Sequence, residues 1–257
     1  MKVVILAGGL GTRIMEETES RPKPMIEIGG KPIIWHIMKI YSFYGFNEFI
    51  ICLGYKGHII KNYFINYHSL NSDIEIDTSN NKITYLNRDL VNFKIKLIDT
   101  GELTNTAGRI KKIQKYVDNE FMLTYGDGLA DIDINELLKF HRSSSSIATL
   151  SAVKNKSRFG ELNINKNNIV ESFKEKPKEN NNWINAGFFV LNKEIFDYLE
   201  DDNIDEIQWE KGPLKKIAED GKLASYKHDG FWKPMDAMRD KIELEKLWKS
   251  NPIWKKW

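Results

Sequence analysis

The sequence lacks the features that announce several whole classes of protein. It holds a single cysteine, Cys52, which excludes an internal disulfide and a cysteine metal cluster. That cysteine sits in the apolar run Phe49-Ile50-Ile51-Cys52-Leu53, where a small buried thiol is the better reading than a reactive one. Long hydrophobic runs are missing as well. The N-terminal stretch Lys2-Val3-Val4-Ile5-Leu6-Ala7 meets glycines before it reaches the length of a signal-peptide core or a membrane span. Charge of one sign is absent too: 38 Lys and Arg against 36 Asp and Glu leave a formal net charge of +2. Neither nucleic acid nor a membrane is therefore expected as a partner. The five histidines fall at no metal-ligand spacing, and no internal repeat is visible. These absences together lead us to expect a cytoplasmic protein.

What is present describes an ordinary globular chain. Its 257 residues, 41% hydrophobic and 29% charged, suffice for one α/β domain with a real core. Val3–Ala7 is a continuous apolar run closed by Gly8-Gly9, the pattern of a buried parallel strand. Pro32–Tyr44 then places Ile33, Ile34, Ile37, Met38 and Tyr41 at helical spacing, with Pro32 suited to the first turn and Gly45 to the stop. Glu48–Leu53 and Gly57–Tyr67 repeat the strand and helix. Further strands are predicted at Lys94–Ile98, Phe121–Tyr125, Ala148–Val153 and Gly187–Leu191. Further helices are predicted at Thr106–Tyr116, Ile134–His141, Lys193–Leu199, Glu210–Asp220 and Met235–Trp248. Asp73–Leu86 reads as a hairpin turning at Asn80-Asn81. The alternation predicts an α/β fold of the Rossmann-like three-layer α/β/α kind, with a mixed, mostly parallel sheet. Residues 1–257 are read as a single domain, elaborated after about residue 155.

The strongest local signal is Leu6-Ala7-Gly8-Gly9-Leu10-Gly11-Thr12-Arg13, directly after the first strand. Glycines at such a turn let backbone N–H groups approach a polyphosphate without interference from Cβ. No Gly-Lys-Ser/Thr follows at Walker spacing, and Ile14 stands where a dinucleotide fingerprint needs its third glycine. Arg13 brings a planar fork suited to phosphate. Ten residues on, Arg21-Pro22-Lys23-Pro24-Met25 holds the Lys23 ammonium on a stiff, extended segment. The glycines alone could be a tight β-to-α turn, and Lys23 alone a solvated loop lysine. Loop, arginine and lysine in this order are harder to explain as structure.

Gly-Gly-x-Gly-Thr-Arg followed by Pro-Lys-Pro-Met resembles the signature of the sugar-phosphate nucleotidylyltransferases, and the resemblance runs nearly the full length. Within that superfamily the chain is most similar to the glucose-1-phosphate cytidylyltransferases. Glu27–Ile33, Trp35–Met38, Asp99-Thr100-Gly101 with Thr104 and Gly108-Arg109, and Gly230–Asp236 with Arg239-Asp240 carry that likeness. The resemblance implies the nucleotide-diphospho-sugar transferase fold and a substrate pair of CTP and a sugar 1-phosphate, namely glucose 1-phosphate. It also implies Mg²⁺ as cofactor and a homo-oligomer, which the aromatic tail (Trp248, Trp254, Trp257) would favour if it stays exposed.

The same resemblance assigns residues. Leu6, Ala7, Gly8, Gly9, Gly11, Thr12, Arg13, Lys23, Thr104, Arg109 and Gly126 are expected at the nucleotide, with Arg13, Lys23 and Asp127 catalytic. The segment from Asp99 to Arg109 lacks the Gln-rich or Gly-Leu-Gly-type stretch of thymidylyl and uridylyl relatives, and its Thr and Arg can donate to the O2 and N3 acceptors of cytosine. Asp127 ends an apolar strand, where α/β sheets place functional carboxylates. Asp127 and Asp236 are implied to meet at one Mg²⁺, although Asp236 also precedes a helical pattern and could be its N-cap. Gly160, Glu175, Lys176 and Asn185 match the segments that line the sugar phosphate. Taken without the resemblance, Glu175-Lys176-Pro177 is an exposed turn. Another sugar 1-phosphate such as a heptose, another NTP, or a non-catalytic sugar-nucleotide-binding homologue remain alternatives.

Overall fold

The N-terminal apolar run forms strand β1 (Lys2–Leu6) at the middle of the sheet. The computed structural model describes residues 1–86, 91–154, 161–174 and 183–257. Beside β1 lie β2 (Glu48–Leu53), β3 (Lys94–Asp99) and β4 (Glu120–Tyr125), all parallel, in the order β3-β2-β1-β4. The alternation along β1 sorts its side chains onto two faces, as strand geometry requires. Val3 and Ile5 pack with Ile34, Ile37 and Met38 of helix α1 (Ile33–Phe43), whereas Val4 and Leu6 pack with a second cluster. Helix α2 (Gly57–Ile65) contributes Ile60 to the first cluster, and α3 (Thr106–Lys112) contributes Ile110 to the second. Apolar layers on both sides explain why β1 and β2 read as unbroken hydrophobic runs.

Beyond β4 the sheet changes direction. A short strand β5 (Gly128–Ala130) leads into α4 (Ile134–Ser143) and β6 (Ala148–Lys154), then β7 (Glu161–Ile164), β8 (Val170–Lys174) and the long β9 (Trp183–Asn192). Helix α5 (Pro213–Glu219), β10 (Leu223–His228), β11 (Trp232–Pro234) and α6 (Met238–Ser250) complete the chain. Strand β9 runs antiparallel to β4, Phe188 opposite Thr124, and antiparallel to β6, which in turn lies parallel to β10. The mixed three-layer α/β sheet is as expected, with its parallel pairs among β1–β4 and between β6 and β10.

Several predicted elements change at their ends. Lys193–Leu199 is a 3₁₀-helix, and the Glu210–Asp220 helix begins only at Pro213. The predicted Thr106–Tyr116 helix ends at Lys112 and continues as a 3₁₀ turn, Gln114–Tyr116. The hairpin is present, Ile74–Asp77 against Lys82–Tyr85. Among the described residues, no helix is long and apolar enough to cross a membrane.

Of the two courses open to the aromatic tail, exposed or folded back, it takes the second: it packs on α1, and Trp254 is wholly buried. Trp254 stacks against Phe231 and Trp248, and Trp257 meets Trp35 edge-on. At the centre is His36, whose Nε2–H donates to the Ile28 carbonyl at 2.8 Å while Nδ1 accepts from the Trp254 indole at 3.5 Å. The tail tryptophans therefore supply little loose apolar surface for self-association, although Ile253 among them is exposed. The hairpin exposes three apolar side chains together, Ile74, Ile76 and Ile83.

This packing makes a pH prediction. Burial pulls the His36 pKa down from 6.5 to about 4, so the folded state prefers the neutral ring. Its stabilising effect is complete above pH 6.5 and is lost as pH falls through that window toward 4. Unfolding free energy measured in urea should decline over this range in the wild type, and decline less in His36→Gln. Parallel curves for the two proteins would show that His36 contributes nothing to the acid response.

Candidate active site

The glycine turn after β1 lines one wall of a cavity, every residue from Leu6 to Arg13 contributing. What gives the turn its shape lies underneath it. Arg109, on α3, is buried, and its guanidinium donates to five acceptors. These are the carbonyl of Gly8 (2.9 Å), of Leu53 (2.9 Å), of Gly101 (2.8 Å) and of Glu102 (3.2 Å), and Oγ1 of Thr100 (2.7 Å). Gly8 must be glycine because a Cβ there would lie 2.2 Å from Arg109 Nη1. Expected at the nucleotide, Arg109 reaches the cavity wall, but its donors are turned to backbone. It ties the glycine loop to the Asp99–Arg109 segment.

Thr104 is placed differently from expectation. Its hydroxyl turns to Lys112 (3.0 Å) and Asp205 (3.4 Å), and it is its neighbours Leu103, Asn105 and Thr106 that line the cavity. Two N–H groups at the start of α3 are taken by a returning segment, Asn105 donating to the Asp205 carbonyl at 2.7 Å and Ala107 to that of Ile207 at 3.1 Å. These bonds satisfy donors that a helix start otherwise leaves unpaired.

Asp127 follows β4, and Asp236 follows β11, 109 positions later in the chain. They come together because β11 pairs antiparallel with β5, Pro234 opposite Gly128, and the Met235 N–H donates to the Asp127 carbonyl at 2.8 Å. Lys23 bridges the two carboxylates, its Nζ 2.6 Å from Asp127 Oδ2 and 2.6 Å from Asp236 Oδ1. Arg13 Nη1 donates to the other Asp236 oxygen at 3.1 Å. Burial alone would depress the Lys23 pKa, but the two adjacent aspartates outweigh it and hold the ammonium charged. Asp236 is not the N-cap of α6: Ala237 holds that position, and Asp240, in the first turn, reaches back to accept from the N–H groups of Asp236 (3.1 Å) and Ala237 (2.8 Å). Asp236 is thereby left to face cations.

A second cavity opens on the other side of this cluster, lined by Asn185, Ala186 and Gly187 of β9 and by Trp232. Gly187, at φ 82°, lets β9 pass under the Tyr125 ring, which an added Cβ would approach to 2.5 Å. The two cavities share Arg13, Tyr125, Asp127, Gln208, Glu210 and Asp236. One charged partition thus separates two chambers. The structure brings Leu6–Arg13, Lys23, Gly126, Asp127, Asn185 and Asp236 to them. The expected positions Gly160, Glu175 and Lys176 lie outside the described residues. Gln208 and Glu210, also on the partition, were not anticipated. Read as the start of a helix, Glu210 had no signal to set it apart. Cys52, by contrast, is buried, and burial pushes its thiol up to about 12, so it is inert.

Two chambers joined at an arginine and a pair of aspartates that a lysine bridges, on the loop end of an α/β sheet, define a site for bringing two phosphorylated substrates together. The chain belongs to the nucleotidyl transferase family, whose model matches residues 2–245, and it is an enzyme of that class. It is 48% identical over 260 residues to the glucose-1-phosphate cytidylyltransferase of Salmonella typhimurium, across 100% of both chains. It is 44% identical over 259 residues to the probable glucose-1-phosphate cytidylyltransferase of Bacillus subtilis, again across 100% of both. Crystal structures of HddC from Yersinia pseudotuberculosis, one complexed with GMP-PN, align at TM-scores of 0.74 and 0.73. They share 27% identity over 95% of this chain and 98% of theirs.

Proposed function

We propose that the chain makes CDP-glucose and pyrophosphate from CTP and glucose 1-phosphate. The observation that carries the reading is the shared partition: two chambers meet at fixed cations, in a chain that matches a glucose-1-phosphate cytidylyltransferase from end to end. In this reading CTP takes the glycine-loop chamber and the sugar phosphate takes the chamber at Asn185. A phosphate oxygen of the sugar attacks the α-phosphorus in line, the bond from that phosphorus to the bridging oxygen breaks, and pyrophosphate leaves. No base is needed, because a phosphate monoester with a second pKa near 6 is already ionised at neutral pH. The barrier is the approach of two anions. Arg13 and Lys23 lower it by placing positive charge at the partition before reaction, where it costs no reorganisation.

The partition also fits Mg²⁺. The Lys23 ammonium lies within 2.6 Å of an oxygen on each aspartate, so Asp127 and Asp236 can face one cation, and Mg²⁺ held by both would displace the ammonium toward the triphosphate. Two carboxylates, completed by phosphate and water, suit a small hard ion that retains part of its hydration. Bound there, it would neutralise developing phosphate charge. Self-association is part of the same reading, through the apolar face of the hairpin. Cytoplasmic residence is likewise proposed.

The decisive experiment is pyrophosphate release from each of the four NTPs with glucose 1-phosphate. CTP should exceed the other three by at least about tenfold in kcat/KM, the discrimination that a single base-reading hydrogen bond supplies. Preference for another NTP would overturn the cytidylyl assignment. Absence of turnover with every NTP, but with tight nucleotide binding, would favour a non-catalytic sugar-nucleotide-binding protein.

A further inference from the structure

Across the partition runs a hydrogen-bonded chain of side chains that links the two chambers: Thr106, Glu210, Tyr125 and Asn185. Asn185 Oδ1 accepts from the N–H of Gly187 at 2.8 Å, which fixes the orientation of its amide. Its Nδ2 donates to the Tyr125 hydroxyl at 3.3 Å, and that hydroxyl donates to Glu210 Oε1. Glu210 Oε2 accepts from Thr106 Oγ1 at 3.3 Å.

The remaining capacity of this chain can be counted. Tyr125 has given its donor and accepts once, so it acts as a positioning residue. Asn185 has one N–H left, and its carbonyl keeps one lone pair beyond the Gly187 bond. Glu210 can only accept. The one donor this chain has left, the Asn185 N–H, thus stands beside an acceptor-only carboxylate. A hydroxyl group answers both at once, accepting from Asn185 and donating to Glu210. A phosphate answers only the first, and its charge is repelled by the second.

We propose that Glu210 is a specificity-determining residue that accepts a hydrogen bond from one hydroxyl of the sugar 1-phosphate, in the chamber lined by Asn185, Ala186 and Gly187. This rests on the reading that the second chamber takes the sugar phosphate. Its consequence is directional as well as selective. The sugar is admitted by a hydroxyl at Glu210, and its phosphate is turned away from that carboxylate.

The test compares wild type with Glu210→Gln on glucose 1-phosphate and on its 2-, 3-, 4- and 6-deoxy analogues. The variant should raise KM for glucose 1-phosphate about 10- to 100-fold, the range for a hydrogen bond to a charged group, with KM for CTP and the thermal midpoint little changed. For one deoxy analogue, and one only, wild type and variant should coincide, because the hydroxyl that Glu210 reads is missing. Equal losses against every analogue would overturn the proposal by showing a purely structural role. A change confined to KM for CTP, cancelled with 2′- or 3′-deoxy-CTP, would overturn it in favour of a ribose contact. If Glu210→Gln does not fold, Tyr125→Phe supplies the same comparison, with a smaller effect on the same analogue. Wild-type failure on every sugar 1-phosphate would sink the underlying substrate reading instead, so the two failures are distinguishable.

Discussion

Lys23→Ala is expected to lower kcat for pyrophosphate release on the order of 10²- to 10³-fold, as loss of a preorganised charge at a reacting phosphate does. Its ammonium is more enclosed than Arg13 or either aspartate, with a side chain 13% exposed, and it touches both carboxylates. Without it the two carboxylates face each other and an incoming triphosphate meets net negative charge. Lys23→Arg should recover little, because the larger planar guanidinium does not fit the compact space in which one ammonium reaches both carboxylates. Arg13, 64% exposed and held by one bond to Asp236, should matter less to binding, yet its alanine variant should still lose turnover. A folded Lys23→Ala protein with near-normal kcat would show that the lysine is only a tether for the aspartates.

Arg109→Met is expected to lower the stability of the fold by about 3–5 kcal/mol, read as a fall in the urea midpoint. The side chain it replaces supplies the partners of four carbonyls and one hydroxyl, most of them out of reach of water. Removing the donors leaves those acceptors unpaired, which costs more than the bonds were worth when made. Arg109→Lys should also lose stability, since a single ammonium offers three donors and no fork. The glycine loop loses its underpinning in either variant, so activity should fall with stability. A midpoint within experimental error of the wild type would mean that the carbonyls find other donors.

The parts of the molecule legible in the sequence are those whose causes are local. Strand β1 and helix α1 announce themselves because burial on one or both faces imposes a period that the residues display. The glycine loop and Lys23 are legible for a similar reason: glycine freedom and proline stiffness act over a few residues. Strands β5, β10 and β11 left no such trace. Strand β10 carries Ser225 and Lys227 among its apolar positions, and β11 is Trp-Lys-Pro, three residues whose extended form is fixed by a partner about a hundred positions away. Resemblance, not pattern, joined Asp236 to Asp127. Glu210 shows the limit most clearly. Its role depends on a segment that returns to close the start of α3, and no period or motif encodes where a returning segment lands. Arg109 was legible as important but not in its manner: a guanidinium can serve phosphates or carbonyls, and only its surroundings decide.

The pairing of β11 with β5 has a consequence for synthesis. The glycine loop, the lysine and the first aspartate are all made within the first half of the chain, but the second aspartate arrives at residue 236 and is held by a helix that ends at Ser250. A ribosome-bound intermediate can therefore shape the nucleotide chamber while still lacking half of the acidic pair. On the reading that both aspartates serve the reaction, a nascent polypeptide gains the complete pair only when β11 docks.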